Sequence, residues 1–247
     1  MKPTISPVGD CAISIDFGQA IDPKINRQIR QVIEQIKLLQ LDGIIELVPT
    51  YCALLVQYDA MVYTYSDICR ILDPILQESV TDSVIERVMI VEIPTVYGGE
   101  FGPDLGFVAS YNHISEAEVV SIHSGTDYLV YMLGFIPGFT YLGGMDPRIA
   151  TPRLSSPRTL IPAGSVGIAG EQTGTYPSES PGGWQIIGRT PVTMYDMSKK
   201  QAALLQAGDY VRYVSINENE FHRIKLLGSN YIPSMYEVEV GELRGYK

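Results

Sequence analysis

The stretch from Tyr131 to Pro191 places the strongest constraint on how this chain can fold. It contains eleven of the 23 glycines, eight of the 16 prolines, four arginines and the single tryptophan, Trp184. Proline fixes φ and removes a backbone donor, whereas glycine permits positive φ. A stretch rich in both predicts a path built from specified turns rather than from long regular elements. Loops of this kind on a rigid scaffold often carry function.

The same stretch is slightly basic inside an acidic protein. It has four arginines, no lysine and three acidic residues, whereas the whole chain has a formal net charge of −10. The planar fork of arginine suits carboxylates and phosphates. The pattern indicates either a site for an anion or acidic partner surface, or irregular β structure that carries surface arginines.

The composition of the whole chain argues against several classes of protein. An acidic chain offers no basic face for nucleic acid, and no apolar run approaches the ~20 residues of a membrane span. The first residues lack the apolar core of a signal peptide. Cys11, Cys52 and Cys69 have no zinc-site spacing and the three histidines are scattered, so we expect no metal site. Reduced thiols of this kind are typical of a cytoplasmic protein.

The first third of the sequence alternates between strands and helices. Asp22 followed by Pro23 is a typical helix start, and an apolar stripe follows it. Pro74 conflicts with an unbroken second helix, so we expect a kink or an end near Asp73. The predicted elements are strand 12–17, a helix from Pro23, strands 44–48 and 52–58, a helix from Ser66 and strand 85–93. This β-α-β-β-α-β order resembles a split βαβ sandwich, with helices on one face of an antiparallel sheet.

The pattern changes after Pro94. A Gly-rich loop at 97–106 leads into a short helix, and Ser115 with Glu118 forms a capping box for a helix that runs to about residue 123. Short β segments separated by Gly/Pro turns then predict a small barrel: 127–133, 166–169, 184–187, 192–195, 210–216 and 236–240. The predicted class is α+β, with an N-terminal α/β domain at 1–84 and a barrel domain with a C-terminal tail at 85–247.

Two glycine-containing motifs near Ser165 resemble a phosphate-binding loop and a nucleophile elbow only in part. No Walker A sequence occurs, since Gly164, Gly167 and Gly170 are spaced every third position and no Lys-Ser/Thr follows. A nucleotide would therefore be held in an unconventional way or by a partner. The segment 163–167 resembles a nucleophile elbow, but the helix that should follow is missing, which argues against a nucleophilic Ser165.

Three residues are candidates for acid–base chemistry. His123 ends the capped helix, where it is either a cation favoured by the helix dipole or a titrating group in a cleft with Asp104 or an arginine. Glu100 and Asp104 flank a Gly-Pro pair and form either an acid–base pair or simple caps and turns. We expect His123, with Asp104 as a possible partner, at the edge of a groove.

The arginines of the Gly/Pro-rich stretch are candidates for binding an anion. Arg153 and Arg158 lie five residues apart, and with Arg189 they would bind a carboxylate or phosphate, unless they are exposed rim residues. Trp184 is either a core anchor or a stacking platform. We expect the arginines, with Ser165, to border a groove on the barrel that is lined by Phe135, Phe139, Tyr141 and Trp184.

These motifs together resemble one family over about residues 5–215. The family is that of the B-type subunit of bacterial ATP-dependent 5-oxoprolinase, which also contains the inhibitor of sporulation histidine kinase A. It was earlier labelled allophanate hydrolase subunit 1, after its similarity to the carboxyltransferase region of urea carboxylase. The motifs are Gly9-Asp10, YGGEFGPDL, His123-Ser124, GFIPGFTYLGG, PRLSSPR with IPAGSVGIAG, and YPSESPGGWQIIGRTP.

The resemblance implies a fold and a function in a complex. It implies a small α/β domain followed by a cyclophilin-like β-barrel. It also implies that the chain acts with the A-type and C-type subunits of 5-oxoprolinase to open the lactam of 5-oxo-L-proline to L-glutamate. ATP would be bound with or by the partner subunits, so the chain alone is expected to be inactive. The alternatives are a histidine-kinase inhibitor that acts by docking, and an accessory subunit of an allophanate hydrolase or urea carboxylase carboxyltransferase.

Overall fold

The computed structural model describes residues 3–77 and 87–245. The chain divides into two compact units, residues 1–84 and 85–247. The N-terminal unit is a four-stranded antiparallel sheet with the strand order β1-β2-β4-β3 and two helices. Its elements are β1 (Thr4–Pro7), β2 (Ala12–Asp16), α1 (Pro23–Leu38), β3 (Ile44–Pro49), β4 (Ala53–Tyr58) and α2 (Tyr65–Gln77).

One apolar core holds the N-terminal unit together. Alternate residues of β2 and β4 point to the same face of the sheet. Both helices pack their apolar stripes onto that face, so the predicted arrangement of helices on one side of an antiparallel sheet is confirmed. The fully buried residues of this core include Ile13, Ile15, Ile29, Leu54, Val56, Ile68 and Leu72.

Two details of the N-terminal prediction are corrected. The fourth strand of the sheet is β1, which was not predicted, and the strand predicted at 85–93 does not join this sheet. Residues 85 and 86 lie outside the described residues. Of the predicted kink or end near Asp73, the end is wrong, since α2 continues through Pro74 to Gln77, and the kink stays a prediction. Pro74 is exposed in the last turn, so its ring points to solvent and its missing donor affects only one backbone hydrogen bond.

The second unit is built on a nearly closed barrel. Its strands are β5 (Arg87–Tyr97), β6 (Asp127–Leu133), β7 (Thr140–Gly143), β8 (Arg158–Ile161), β9 (Ser165–Ala169), β10 (Gln172–Thr175), β11 (Ser180–Gly182), β12 (Gln185–Arg189), β13 (Tyr210–Ser215) and β14 (Met235–Glu239). Its helices are α3 (Leu105–Tyr111), α4 (Glu116–Ser124) and α5 (Glu218–Leu227), with 3₁₀ turns at Pro147–Ile149, Gly228–Asn230 and Val240–Glu242.

The order of the main sheet is β10-β9-β12-β5-β13-β6-β7, and β14 also pairs with β5. The two end strands lie close to each other. A Cβ atom added to Gly174 of β10 would lie only 3.4 Å from the carbonyl oxygen of Thr140 in β7. Strands β8 and β11 form a separate two-stranded sheet. The α+β class with a barrel is therefore confirmed.

Residues of the sheet and of two helices fill the barrel. Val166, Ile168 and Ile187 from the strands pack with Val108 of α3 and Val119 of α4. The predicted capping box of α4 is confirmed, since Ser115 Oγ accepts from the Glu118 N–H at 3.2 Å and Glu118 accepts from the Ser115 N–H at 2.8 Å. The sequence pattern therefore predicted the start of the helix that packs against the barrel core.

The region predicted as a strand at 192–195 is not a strand. Val192 and Met194 are buried and Thr193 is exposed, which mimics strand alternation. Their backbone has no ladder partner beyond a single bridge between Tyr195 and Ala203. The alternation came from packing onto the barrel core and not from pairing within a sheet.

The C-terminal tail is part of the barrel unit. Asn217 caps α5 by accepting from the Glu220 N–H at 2.9 Å, and β14 runs antiparallel to β5. Arg212 of β13 binds Asp127 through two hydrogen bonds of 2.6 and 2.7 Å, and the Arg244 N–H donates to the same carboxylate at 2.8 Å. This buried ion pair ties the end of the described chain to the barrel. Within the described residues, no helix has the length and apolar character needed to cross a membrane.

Candidate functional site

The sequence predicts His123 at the edge of a groove, but the structure places it inside the barrel. It is fully buried, and its ring packs 4.6 Å from that of Tyr213, centre to centre. Its Nδ1 lies 2.7 Å from the hydroxyl of Tyr97, and its Nε2 lies 2.8 Å from Thr173 Oγ1. Neither contact involves Asp104, so the predicted partnership between His123 and Asp104 is wrong.

The hydrogen bonds around His123 define one consistent tautomer. Thr173 Oγ1 donates to the carbonyl of Gly167 at 3.0 Å, so its oxygen accepts from His123 Nε2. Nδ1 is then unprotonated and accepts from the Tyr97 hydroxyl. The chain of donors runs from Tyr97 through His123 and Thr173 to the backbone of β9. We name Tyr97, His123 and Thr173 the inner relay.

Burial sets the charge of the inner relay. It lowers the pKa of His123 from 6.5 to about 3, because the charged imidazolium would lose its hydration in the apolar core. It also raises the pKa of Tyr97 well above its usual value. Both groups are neutral near pH 7, which rules out the predicted dipole-stabilised cation at this position. A neutral and fully partnered histidine of this kind stabilises the fold.

Asp104 is the centre of a different cluster on the outside of the barrel. Its Oδ1 accepts from Arg158 at 2.7 Å, and its Oδ2 accepts from the Ile186 N–H of β12 at 2.6 Å. Its own N–H donates to the Ile186 carbonyl at 2.9 Å. Arg158 also donates to the carbonyl of Trp184 at 3.3 Å. Asp104 therefore fixes the guanidinium of Arg158 against β12.

Gly102 makes this approach possible. A Cβ atom at this position would collide with the carbonyl of Ile187 in β12. Only glycine lets the loop lie this close to the strand, which brings Asp104 onto Ile186 two residues later. Glu100, in the same loop, is exposed and makes no hydrogen bond or ion pair with the described residues. Both carboxylate oxygens of Asp104 are engaged, whereas Glu100 is exposed, and the acid–base pair of Glu100 and Asp104 stays a prediction.

The aromatic residues predicted to line a groove separate into two groups. Phe139 and Trp184 are buried and pack edge to face at 5.7 Å, with Tyr176 next to both. They form a second apolar cluster on the outer face of the barrel, in which Trp184 acts as a core anchor. Phe135 is 67% exposed at the tip of the β6–β7 connection, and Tyr141 is half-buried.

The three candidate arginines have different surroundings. Arg153 is exposed, and Arg158 is half-buried and held by Asp104. The positive charges of both act on the hydroxyl of Tyr176. The guanidinium carbon of Arg189 lies 5.8 Å from the centre of the Phe101 ring. Arg153 and Arg158 therefore lie near Tyr176 and Arg189 lies near Phe101, and the single arginine-lined groove stays a prediction.

Ser165 lies between these two positions. It begins β9, is fully buried, and stands directly opposite Arg189 of β12. Its Oγ has no hydrogen-bond partner among the described residues, and neither has Nε of Arg189. Sequence reasoning missed Tyr97, Thr173 and Tyr176, because their significance arises only from pairing across strands. The described residues contain no group of three or more His, Cys, Asp or Glu side chains that could hold a metal ion.

Comparison with known proteins assigns the chain to a family. Residues 3–205 match the family described as carboxyltransferase domain, subdomain C and D. The chain is 46% identical over 231 residues to the B-type subunit of 5-oxoprolinase from Bacillus subtilis, covering 90% of this chain and 96% of that protein. It is 52% identical over 128 residues to the 5-oxoprolinase subunit of the same type from Escherichia coli O157:H7, covering 52% of this chain and 59% of that protein.

A solved structure agrees in fold. The urea carboxylase of Kluyveromyces lactis superposes with a TM-score of 0.74 over 96% of this chain and 24% of that chain, at 22% sequence identity. This likeness concerns the fold alone. By sequence and fold, the chain therefore belongs to the family of carboxyltransferase subdomains C and D that contains the B-type subunits of 5-oxoprolinase.

Proposed function

We propose that this chain is the B-type subunit of an ATP-dependent 5-oxoprolinase complex that opens 5-oxo-L-proline to L-glutamate. The observation that carries the proposal is the similarity to a protein of that name along almost the whole of both chains. The proposed partners are the A-type and C-type subunits, and ATP is bound with or by them, because the sequence contains no Walker A motif.

The chemistry of the proposed reaction explains why ATP is needed. Amide resonance stabilises the unstrained five-membered lactam, so water alone opens it slowly. Transfer of the γ-phosphoryl group of ATP to the carbonyl oxygen, with release of ADP, would activate the ring carbon toward water. Water would add to that carbon, the ring C–N bond would break with the amine as leaving group, and hydrolysis of the resulting acyl phosphate would give L-glutamate and phosphate. The phosphorylated intermediates are anionic. Preorganised donors aimed at developing negative charge are the usual means of stabilising such states.

The outer face of the barrel has the donors that this chemistry calls for. Arg158 is held in place by Asp104, and Arg189 has no ion-pair partner among the described residues. We propose that this face, rather than the inner relay, meets the reacting groups. His123 is neutral, buried and already bonded at both nitrogens, so it has no free position for a substrate proton.

The names of these relatives favour the enzyme over the two alternatives. The chain is 46% identical over 90% of its length to a protein named as a 5-oxoprolinase subunit, whereas the urea carboxylase shares the fold at 22% identity. No described contact points specifically to a histidine kinase. We therefore propose the oxoprolinase role and not kinase inhibition.

The test is reconstitution with candidate partners. The chain is purified alone and also co-expressed with subunits of the A and C types, and ADP release is measured with and without 5-oxo-L-proline. We expect 5-oxoproline-dependent ADP release and glutamate formation from the complex and none from the chain alone. Turnover by the pure chain would contradict the proposal. ADP release by the complex at the same rate with and without 5-oxoproline would contradict it as well.

A further inference from the structure

We propose that the outer face of the barrel carries a binding site for one oxyanion, either a carboxylate or a phosphoryl group. The site is formed by Ser165 and Arg189, with Tyr176 at its side. We name these three residues the outer row. The existence of the site does not depend on the proposed function, but the identity of its natural ligand rests on it.

The outer row is defined by strand register. Arg189 of β12 stands opposite Ser165 of β9, and the Tyr176 N–H donates to the Ser165 carbonyl at 2.9 Å from the other side. Neighbouring strands lie ~4.8 Å apart, so the backbones of Tyr176 and Arg189 are about 10 Å apart with Ser165 between them. This register puts the side chains of Ser165 and Arg189 directly beside each other.

Alternation along the strands places all three side chains on the outer face. Val166 is part of the barrel core, and Thr175 bonds to the core residue Tyr213 at 2.9 Å. Their neighbours Ser165 and Tyr176 therefore point outward. Arg189 stands opposite Val96, which packs with Phe101 in a separate outer cluster. The outer row is thus distinct from the inner relay.

Two donors of the outer row are unsatisfied. Ser165 is fully buried, yet its Oγ has no partner among the described residues, and the same holds for the buried Nε of Arg189. A buried polar group without a partner costs on the order of 1–3 kcal/mol, so native structures seldom retain two on facing residues. An oxyanion that accepts from both would satisfy them together.

The positive charge near the outer row favours an anionic ligand. Arg153 and Arg189 make no ion pair with the described residues, whereas the charge of Arg158 is offset by Asp104. Burial raises the pKa of Tyr176 to about 12, despite the opposing effect of the charges on Arg153 and Arg158. Tyr176 is therefore a neutral hydroxyl near pH 7 and is able to donate. The surroundings thus combine uncompensated positive charge with neutral donors.

Three small probes distinguish the possible sources of the oxyanion. Inorganic phosphate stands for a phosphoryl group, and 5-oxo-L-proline presents a carboxylate on the lactam. 2-Pyrrolidinone is the same lactam without the carboxylate. Each is titrated into the full chain by calorimetry. We expect saturable binding of phosphate or 5-oxoproline and none of 2-pyrrolidinone.

Substitutions assign the binding to the outer row. Removal of a charged hydrogen bond by Arg189→Gln is expected to weaken binding about ten-fold or more, and Ser165→Ala several-fold. Arg189→Lys keeps the charge but not the fork, so it should recover only part of the affinity. Arg70→Gln is the matched control, because it removes one arginine charge at an exposed position in the N-terminal unit. It should leave affinity within about two-fold.

The outcomes separate this site from the proposed function. An equal loss of affinity in Arg70→Gln and Arg189→Gln would assign binding to net charge and overturn the site, as would absence of saturable binding of both phosphate and 5-oxoproline. Thermal melting of each variant excludes unfolding as the cause of a loss. If Arg189 is required for phosphate binding but the complex fails to open 5-oxoproline, the site stands and the proposed function falls.

Discussion

The inner relay and the outer row use similar polar residues on opposite faces of the same barrel sheet, with different results. In the inner relay every side-chain donor meets an acceptor, from Tyr97 through His123 to Thr173 and the backbone. In the outer row Ser165 and Arg189 face each other with buried polar atoms that have no partner among the described residues. A satisfied network stabilises a core, whereas unsatisfied donors beside uncompensated charge indicate a place for a ligand.

The largest expected effect comes from removing the centre of the inner relay. His123→Ala creates a cavity, leaves the Tyr97 hydroxyl without its acceptor and removes the donor to Thr173 Oγ1, so we expect a loss of about 3–5 kcal/mol in the free energy of unfolding. Chemical denaturation measures it. His222→Ala, at an exposed histidine, is the control and should change stability by less than about 0.5 kcal/mol. A loss below about 1 kcal/mol for His123→Ala would show that the relay contributes little.

The pH dependence of stability gives the next effect. The pKa of His123 is about 3 in the folded protein and 6.5 in its ordinary state. Below pH 6.5 the unfolded chain therefore binds a proton that the folded chain excludes, and stability falls as pH falls toward 3. Between pH 6.5 and pH 5 this group should cost about 2 kcal/mol. Denaturation at several pH values should show that His123→Gln lacks this part of the dependence, and equal slopes would contradict it.

A milder change tests the end of the relay. Tyr97→Phe removes the hydroxyl that His123 Nδ1 accepts from but preserves the ring. We expect a loss of about 1–2 kcal/mol in the free energy of unfolding, because one buried acceptor is left unpaired. Tyr111→Phe, on an exposed tyrosine of α3, is the matched control. Equal stability of the two variants would remove Tyr97 from the relay.

The smallest stability effect is expected in the outer row. Arg189→Gln removes a side chain that makes no ion pair with the described residues, so the free energy of unfolding should change by less than about 1 kcal/mol. The same variant should lose anion binding. A large destabilisation by Arg189→Gln would mean that Arg189 supports the fold, and the contrast between the two faces would then fail.

Local features of the fold were predictable from the sequence, and distant pairings were not. The caps at Asp22 and Ser115 depend on residues two or three positions away, and both helices begin as predicted. The short strands β7, β8, β10 and β11 were missed, because three or four residues among glycines and prolines carry little periodicity. The β14 strand was predicted as a segment, although its pairing with β5 was not.

The candidate site shows the same limit. Arg158, Arg189 and Ser165 were identified by residue type within the Gly/Pro-rich stretch. His123 was also singled out, but its partners lie 26 and 50 residues away in the sequence, and its burial reversed the expected role. Asp104 meets Arg158 across 54 residues. Residue type therefore found the polar groups, whereas strand register decides which of them are satisfied.

The most direct test of the contrast between the two faces is turnover by the reconstituted complex. ADP release that depends on 5-oxo-L-proline is measured per folded complex for wild type, Tyr97→Phe and Arg189→Gln. We expect Tyr97→Phe to keep turnover within about two-fold while lowering stability, and Arg189→Gln to lose about ten-fold or more with its stability kept. The reverse pattern, with turnover lost in Tyr97→Phe and kept in Arg189→Gln, would contradict the assignment of the outer face to chemistry.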